Sequence, residues 1–251
     1  MIRLMKADFY RVWHTKGFLA TIGLVIAFAV MIVATESSGG IGVDTALPNL
    51  QGGSLKNSIF LAVFSSSMLL YLLIGVFVII IGYEFSQKNY KNSLTAGVSR
   101  FQFILSKYLS EVIYLSTFVL LYFTAAMVTG IVKFGGTQNN LASFLLETLL
   151  LAVAIGLIIS VIFCMATVLL VATGSTIIPT VFIVIYPILL QIIAVLTKWN
   201  FLKYFDFLNF VQLLGRQELS GEQLIPYVVT GVSVTIVSLI ASTLIIRNKE
   251  L

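Results

Sequence analysis

The sequence predicts an all-α integral membrane protein with six transmembrane helices. Three observations carry this prediction: 59% of the 251 residues are hydrophobic, only 10% are charged, and the mean hydropathy is +1.06. A soluble globular domain carries roughly 25% charged residues, so the solvent of this chain is mostly lipid. The charged residues also gather at the ends of long apolar runs, as they do in proteins that cross the membrane several times.

The same composition excludes several functions. The formal charge of +5 could suggest a nucleic-acid partner, but the basic residues flank apolar runs, so we expect none. One cysteine, Cys164, and one histidine, His14, cannot form an intrachain disulfide or a zinc site. No G-x-x-x-x-G-K-[ST] motif occurs, so we expect this chain to be no enzyme, with no ATP hydrolysis, catalytic residue, metal or cofactor of its own.

Residues 1–17 predict an amphipathic helix that lies in the headgroup plane. Arg3, Asp8 and Arg11 point away from its apolar stripe, and the basic residues would lie close to anionic lipid. The alternative is a solvated tail that leads into the first span. The stripe falls within about 100° of arc at the helical repeat and consists of five residues: Ile2, Met5, Phe9, Val12 and Trp13.

Apolar runs of about 20 residues define the six spans. The run after the first helix is longer than the core of a signal peptide and has no clear cleavage site, so we expect it to stay as the first span. A later uncharged run is too long for one crossing, and Gly174 and Pro179 predict a turn that divides it into a hairpin. The predicted spans cover about residues 18–35, 57–83, 109–132, 145–171, 177–197 and 225–246.

Basic residues predict the orientation of these spans. Ten lysines and arginines fall on the side of the two termini and five on the opposite side. By the positive-inside rule we expect both termini to lie in the cytoplasm and the protein to lie in the plasma membrane of a bacterial cell. Residues 198–224 then lie outside, where their many aromatic side chains predict interfacial or re-entrant helices.

The middles of the predicted spans carry no ionisable residue. Glu84, Glu111 and Glu147 lie near span ends, where solvent, lipid headgroups or pairing with Lys88 or Lys107 would satisfy them. A secondary transporter normally needs ionisable groups at membrane depth. The pattern therefore disfavours that class and suits a pathway for apolar or amphipathic cargo.

The connection between the second and third spans, residues 84–100, is longer than the 2–8 residues that join neighbouring helices. From Leu94 onward, Val98, Phe101, Leu105 and Tyr108 recur at three- or four-residue spacing, which predicts a helix with one apolar face. A solvated, positively charged connector is the alternative interpretation.

Two stretches resemble permease subunits of ABC transporters of the ABC-2 class. They are LMKADFYRVWHTKGF before the first span and GYEFSQKNYKNSLTAGVSRFQFILSKYL between the second and third. The number of spans, the interfacial helix, the cytoplasmic termini and the helical insert before the sixth span agree with that class over the whole chain. The resemblance implies a type 2 ABC exporter fold, with residues 1–251 as a single transmembrane permease domain.

In that family, the loop between spans two and three carries a cytoplasmic coupling helix that contacts the ATP-binding subunit. The resemblance therefore implies two copies of a cognate ATP-binding subunit, which hold the ATP and Mg, and a second permease subunit, identical or related. Tyr90 and Leu94 would be apolar anchors for that contact, and their replacement would barely affect folding. The implied coupling residues are Glu84, Asn89, Tyr90, Lys91, Asn92, Leu94, Thr95 and Arg100.

The cargo is implied less narrowly. Small permeases of this length resemble those that export lantibiotics, bacitracin-like antibiotics and other toxic peptides, so we expect hydrophobic or amphipathic cargo. A lipid or a lipid-linked glycan is the alternative cargo. From other classes, a membrane scaffold or sensor subunit and a secondary transporter stay open.

Overall fold

The computed structural model describes residues 2–37, 39–40, 53–135, 141–216 and 221–248. Every regular element among them is helical, and six helical stretches are long and apolar enough to cross a membrane. The prediction of an all-α protein with six apolar helices of spanning length is confirmed. These stretches are Lys16–Thr35, Leu55–Ser86, Arg100–Phe134, Phe144–Thr173, Ile177–Thr197 and Leu224–Asn248.

The α-helices are numbered in chain order. The first six are α1 (Ile2–Trp13), α2 (Lys16–Thr35), α3 (Leu55–Ser65), α4 (Leu69–Leu72), α5 (Ile74–Phe77) and α6 (Tyr83–Ser86). The others are α7 (Tyr90–Thr95), α8 (Arg100–Phe134), α9 (Leu141–Thr173), α10 (Ile177–Thr197), α11 (Phe207–Arg216) and α12 (Gly221–Asn248). We call the end of the bundle that carries α1 and α7 the loop end, and the other end the opposite end.

The second span is broken, although its sequence reads as one apolar run. Three buried serines, Ser65 to Ser67, lie where α3 gives way to a 3-10 turn, and the Ser66 hydroxyl donates to the Val63 carbonyl at 2.7 Å. Serine hydroxyls compete for backbone acceptors in this way and bend helices. A π-helical turn, Val78–Gly82, follows before α6. The serine triplet was the sequence signal for the first break.

The broken span is also the central one. In its most apolar window 67% of the residues are buried, against 17% in the spans of α10 and α12, whose outward faces are therefore left to lipid or to other chains. The long helices α8 and α9 pack against each other along the bundle. A Cβ on Gly156 would lie 3.1 Å from the Ser116 Cα, so glycine permits this close approach.

The hairpin between the fourth and fifth spans forms where the sequence predicts it. Helix α9 ends at Thr173, Gly174 adopts a φ of 70°, and α10 begins at Ile177. Glycine populates this left-handed region without steric cost. Pro179 falls in the first turn of α10, and Pro187 lies inside the helix without ending it.

The segment after α10 turns back into the bundle. The Tyr186 hydroxyl donates to the Phe205 carbonyl at 2.9 Å, and Tyr186 lies eleven residues before the end of α10, about 16 Å along the helix. Helix α11 then packs against α3 and α9 with Phe207, Leu208 and Val211 buried. Residues 198–216 therefore re-enter the bundle from the opposite end.

Candidate functional site

Four charged side chains from three helices meet at the loop end, and we call them the ion cluster. Asp8 and Arg11 belong to α1, Glu84 to α6 and Lys107 to α8. The Lys107 Nζ lies 2.5 Å from the Asp8 Oδ1 and 2.6 Å from the Glu84 Oε1. The Arg11 guanidinium completes the cluster at 3.2 Å from Asp8 and 3.1 Å from Glu84.

The cluster is buried and its charges balance. The side chains of Lys107 and Asp8 are 1% and 2% exposed, and that of Arg11 is 33% exposed. Buried charges persist when they are paired and when hydrogen bonds satisfy their remaining atoms. Here the Ser110 hydroxyl donates to the second Asp8 oxygen at 3.4 Å, and Arg11 donates to the Ile80 carbonyl in the π-helical turn at 2.5 Å, whereas the Arg11 Nε and the Glu84 Oε2 are buried without a partner. The cluster thus joins α1, the end of the second span and the start of the third.

Burial dominates the electrostatics of Asp8. It raises the pKa of the Asp8 carboxyl above its ordinary value, and the charge and hydrogen bond of Lys107 offset this in part. The Glu84 carboxylate adds to the rise, whereas Arg11 opposes it. Asp8 therefore depends on its two cationic neighbours to stay ionised.

Helix α7 is seated next to this cluster by aromatic packing. Lys88 adopts a φ of 58° in the turn after α6, and the Tyr90 ring stacks on Phe85 with 4.8 Å between ring centroids. Phe85 in turn contacts the edge of Phe103 on α8 at 6.0 Å. The Ser99 hydroxyl then accepts from the Gln102 amide at 3.3 Å and caps α8. The connection between α6 and α8 is therefore held at its start by ring stacking and at its end by the cap of α8.

This seat corrects one expectation. Tyr90 is 7% exposed, so its side chain is not a free anchor for a partner, and its replacement would disturb the fold. The reason is the turn at Lys88, which directs the first residue of α7 back over Phe85. Leu94 is half-buried, with one side packed against the core. Most of the residues that the structure exposes along this connection are polar, among them Gln87, Lys88, Asn89, Asn92 and Thr95, and Ala96 and Gly97 are exposed beside them.

The other implied coupling residues differ in where the structure places them. Glu84 belongs to the ion cluster, and Arg100 is half-buried at the start of α8, with its Nε buried and unpaired. Lys91 is half-buried on α7. The structure therefore brings together Asn89, Asn92 and Thr95 on the outer surface and leaves Glu84 inside.

Helix α1 packs on the bundle with part of its predicted stripe. Val12 is 1% exposed, and the Phe9 ring lies 4.9 Å from Tyr114, whereas Trp13 is 62% exposed. Met5 is half-buried, and the Ile2 side chain lies outside the described residues. The expectation that Asp8 points away is wrong, because Asp8 shares a helix face with Val12 four residues on and finds Lys107 there.

The three predicted span-end carboxylates have different outcomes. Pairing of Glu84 with Lys107 is confirmed, and Glu147 is exposed. Glu111 departs from the prediction: it is 1% exposed within α8, and its Oε1 is buried without a hydrogen-bond partner. The helix α8 begins at Arg100, nine residues before the predicted start of the span, so Glu111 lies three turns inside it.

The sequence analysis named Lys107 as a partner for the glutamates but missed the part that Asp8 and Arg11 take in the ion cluster, although signals for it existed. Asp8 is the one acidic residue before the first span, and Lys107 lies within a predominantly apolar helical pattern. Charges in such positions need partners. Among the described residues no three histidine, cysteine or acidic side chains gather as a metal site would require.

Comparison of the sequence with known proteins identifies the family to which the chain belongs. A search among curated proteins finds no match. The sequence pattern of the family DUF2705, described as a protein of unknown function, matches residues 24–251. Since that match covers all six apolar helices except the first residues of the first, the chain belongs to the DUF2705 family.

Proposed function

We propose that this protein is the transmembrane permease subunit of an ATP-driven exporter of the ABC-2 class. The observation that carries the proposal is the mounting of α7. This six-residue helix presents polar side chains outward, while Phe85, Tyr90 and the ion cluster fix its base to two spans and to α1. A simple connector needs neither the length nor the buried seat.

The mounting suits a helix that transmits force. Coupling between distant sites travels through packed side chains, ion-pair networks and rigid elements. A push on α7 reaches the broken second span through α6 and reaches α8 through Phe103. The breaks in the second span, at Ser66–Met68 and Val78–Gly82, are places where that span can change its bend.

The partners follow from the same proposal. Asn89, Asn92 and Thr95 contact one of two identical ATP-binding subunits, which supply the ATP and Mg, and a second permease subunit completes the transporter. Helix α7 and both termini then lie in the cytoplasm, in agreement with the ten-to-five distribution of basic residues. The membrane is the plasma membrane.

The cargo is hydrophobic or amphipathic, as in exporters of antimicrobial peptides. Supporting this, an apolar cavity of about 420 Å³ opens between α9, α11 and α12, and its polar lining includes Tyr108 and Ser160, whose hydroxyls lie 3.2 Å apart. A volume of this size falls in the range of ligand sites. A lipid or lipid-linked glycan would use the same cavity.

One observation favours a second candidate function, a secondary transporter. Glu111 is a buried, unpaired ionisable side chain inside the third span, which is where ion-coupled carriers place such groups. Replacement of Glu111 by Gln separates the two candidates. An exporter driven by ATP keeps its transport, whereas a proton-coupled carrier loses it.

The proposal is tested by capture of the ATP-binding subunit. The tagged protein is purified from its native membrane, and copurifying proteins with a phosphate-binding G-x-x-x-x-G-K-[ST] motif are identified. In the triple variant Asn89→Ala, Asn92→Ala and Thr95→Ala we expect at least a tenfold loss of that protein with normal folding, because truncated interface contacts often cost about 2 kcal/mol or more. The matched control is Asn200→Ala, an exposed asparagine at the opposite end.

Wild-type capture by the triple variant, or equal loss in the Asn200 control, would show that α7 is a connector. The variant Tyr90→Ala is informative beside these. We expect it to lose both the partner and thermal stability, because its ring is part of the seat of α7.

A further inference from the structure

An apolar groove, separate from the cavity described above, follows the outer surface of α10. Its volume is about 470 Å³, and it opens on the side of the helix where Val181, Ile185 and Leu189 are 40–50% exposed. Because α10 is among the least buried spans, this surface is left uncovered by the rest of the chain that the structure describes. The groove is lined by Leu169, Ile178, Val181, Phe182, Ile185, Tyr186, Leu189, Leu190, Ile193 and Leu202.

The dimensions of the groove match a hydrocarbon chain. It extends along α10 from Ile178 to Ile193, fifteen residues or about 22 Å of helix. One leaflet accounts for about half of the roughly 30 Å hydrocarbon core. The groove is therefore long enough for an acyl chain that enters at the Leu202 end to lie beside α10 over the whole depth of its leaflet.

The chain next to the groove at the opposite end is basic and aromatic. Leu202 closes the groove there, and Lys203 follows it in the chain, while Lys198 lies five residues beyond Ile193. Both lysines are exposed, and within the described part of the chain neither has a carboxylate partner, although the Lys203 Nζ lies 4.9 Å from the Tyr204 ring centre. In the chain between these two lysines, the rings of Trp199 and Phe201 stack with 5.5 Å between their centroids. Aromatic side chains are enriched at headgroup level.

The acidic residue of this segment does not neutralise these lysines. Asp206 is 6% exposed, and its Oδ1 accepts from the Asn209 amide at 3.0 Å as the cap of α11. The exposed charges of the segment 198–206, which borders the apolar groove in the chain, are therefore positive.

We infer that this groove binds one anionic phospholipid, with an acyl chain along α10 and the phosphate at Lys198 and Lys203. A zwitterionic lipid would gain the apolar contacts without the net charge attraction, and free phosphate would gain the charge without the groove. Basic residues at the membrane surface recognise anionic headgroups in this way. The inference is independent of the proposed function, since it requires no ATP-binding partner.

Native mass spectrometry of the purified full-length protein tests the inference. The protein in non-ionic detergent is titrated with dioleoylphosphatidylglycerol or dioleoylphosphatidylcholine. We expect one tightly held phosphatidylglycerol, bound on the order of tenfold more tightly than phosphatidylcholine. The double variant Lys198→Gln and Lys203→Gln should lose this preference, and 1 mM inorganic phosphate should not displace the lipid.

Two further variants separate a specific site from general surface charge. Lys56→Gln removes an exposed lysine at the same end but outside the groove, and the preference for phosphatidylglycerol should persist. Val181→Phe with Ile185→Phe fills the groove and should reduce binding of both lipids at least tenfold. Equal binding of the two lipids by the wild type, or an equal loss in the Lys56 variant, overturns the inference. So does a groove-filling variant that binds lipid normally but changes oligomeric mass, since a second copy of the chain then covers α10.

Discussion

The two ends of the molecule hold their short helices by different means. At the loop end, four charged side chains, of which Lys107 and Asp8 are fully buried, join α1, α6 and α8, and α7 sits beside them. At the opposite end, α11 is held by apolar side chains, with one carboxylate that caps its first turn. In the ion cluster, a single side chain takes part in the contacts between several helices. In apolar packing, many side chains each contribute a small part of the stabilising energy.

The difference has a consequence for function. Lys107 contacts residues 99 and 23 positions away in the chain, so one ammonium group aligns three elements. The loop end can then move as one piece. At the opposite end, Asp206 accepts hydrogen bonds from the Asn209 amide of α11 and from Gln191 on α10, so it joins two elements, and among the described residues it has no cationic partner.

The largest expected effect comes from breaking the ion cluster. Lys107→Met keeps the apolar stem but leaves the Asp8 and Glu84 carboxylates buried, with Arg11 as their remaining partner. We expect a loss of about 3–5 kcal/mol in the free energy of unfolding, because removal of one partner strands buried charges. Thermal or denaturant unfolding in non-ionic detergent measures it.

The control for this prediction is the opposite-end ion pair of Lys133 and Glu36. Their Nζ and Oε1 lie 2.7 Å apart, but the side chains are 32% and 46% exposed. Lys133→Met should cost about 1–2 kcal/mol, since exposed ion pairs contribute little and the hydrogen bond from the Lys133 Nζ to the Ala34 carbonyl adds a modest amount. Equal losses in the two variants would contradict the comparison. Adding Asp8→Asn to Lys107→Met should restore part of the stability.

A smaller effect is expected at the cap of α11. Asp206→Ala removes the acceptor for the buried Asn209 amide and should cost about 1–2 kcal/mol. Asp206→Asn should be nearly neutral, because asparagine caps helices about as well as aspartate. The two variants are compared by thermal unfolding under the same conditions. If asparagine costs as much as alanine, the charge of Asp206 has a role that the cap does not explain.

Some of this organisation could be read from the sequence. The six apolar helices and the turn at Gly174 follow from local composition, since each apolar run must satisfy its own backbone in lipid. The exposed polar residues Asn89, Asn92 and Thr95 were also named in advance, because the resemblance to ABC-2 permeases implied them as coupling residues. These features depend on neighbours in the chain.

Other features depend on contacts between distant residues and could not be read. The sequence cannot say that Asp8 meets Lys107, because the pairing requires α1 to lie across α8. It also cannot say that Tyr90 turns inward, since that follows from a single left-handed residue, Lys88, before α7. Glu111 belongs here too, because its burial results from the early start of α8 and from the helices packed around it.

The smallest expected effect is a pH dependence that both ends share. Burial raises the pKa of Asp8 and, at the opposite end, that of Asp206, where hydrogen bonds from Asn209 and Gln191 oppose the rise. Below the unfolded-state pKa of about 3.9 both states are protonated. As the pH rises above it, the unfolded chain releases its proton first, so stability falls until the folded carboxyl has also ionised. The midpoint of thermal unfolding, measured from pH 4 to pH 8, should therefore decrease with pH for these groups.

Two substitutions assign this slope to the two ends. Asp8→Asn should remove the contribution of the loop end, and Asp206→Asn that of the opposite end, each seen as a flatter curve than that of the wild type. Because Lys107 lowers the pKa of Asp8, Lys107→Met should extend the Asp8 slope to higher pH, and Asp206 should be unaffected. A slope that persists in Asp8→Asn and Asp206→Asn alike would assign it to other groups. A Lys107→Met curve that keeps the wild-type slope would show that the ammonium does not hold Asp8 ionised, and the loop end would then resemble the opposite end in being fixed by packing.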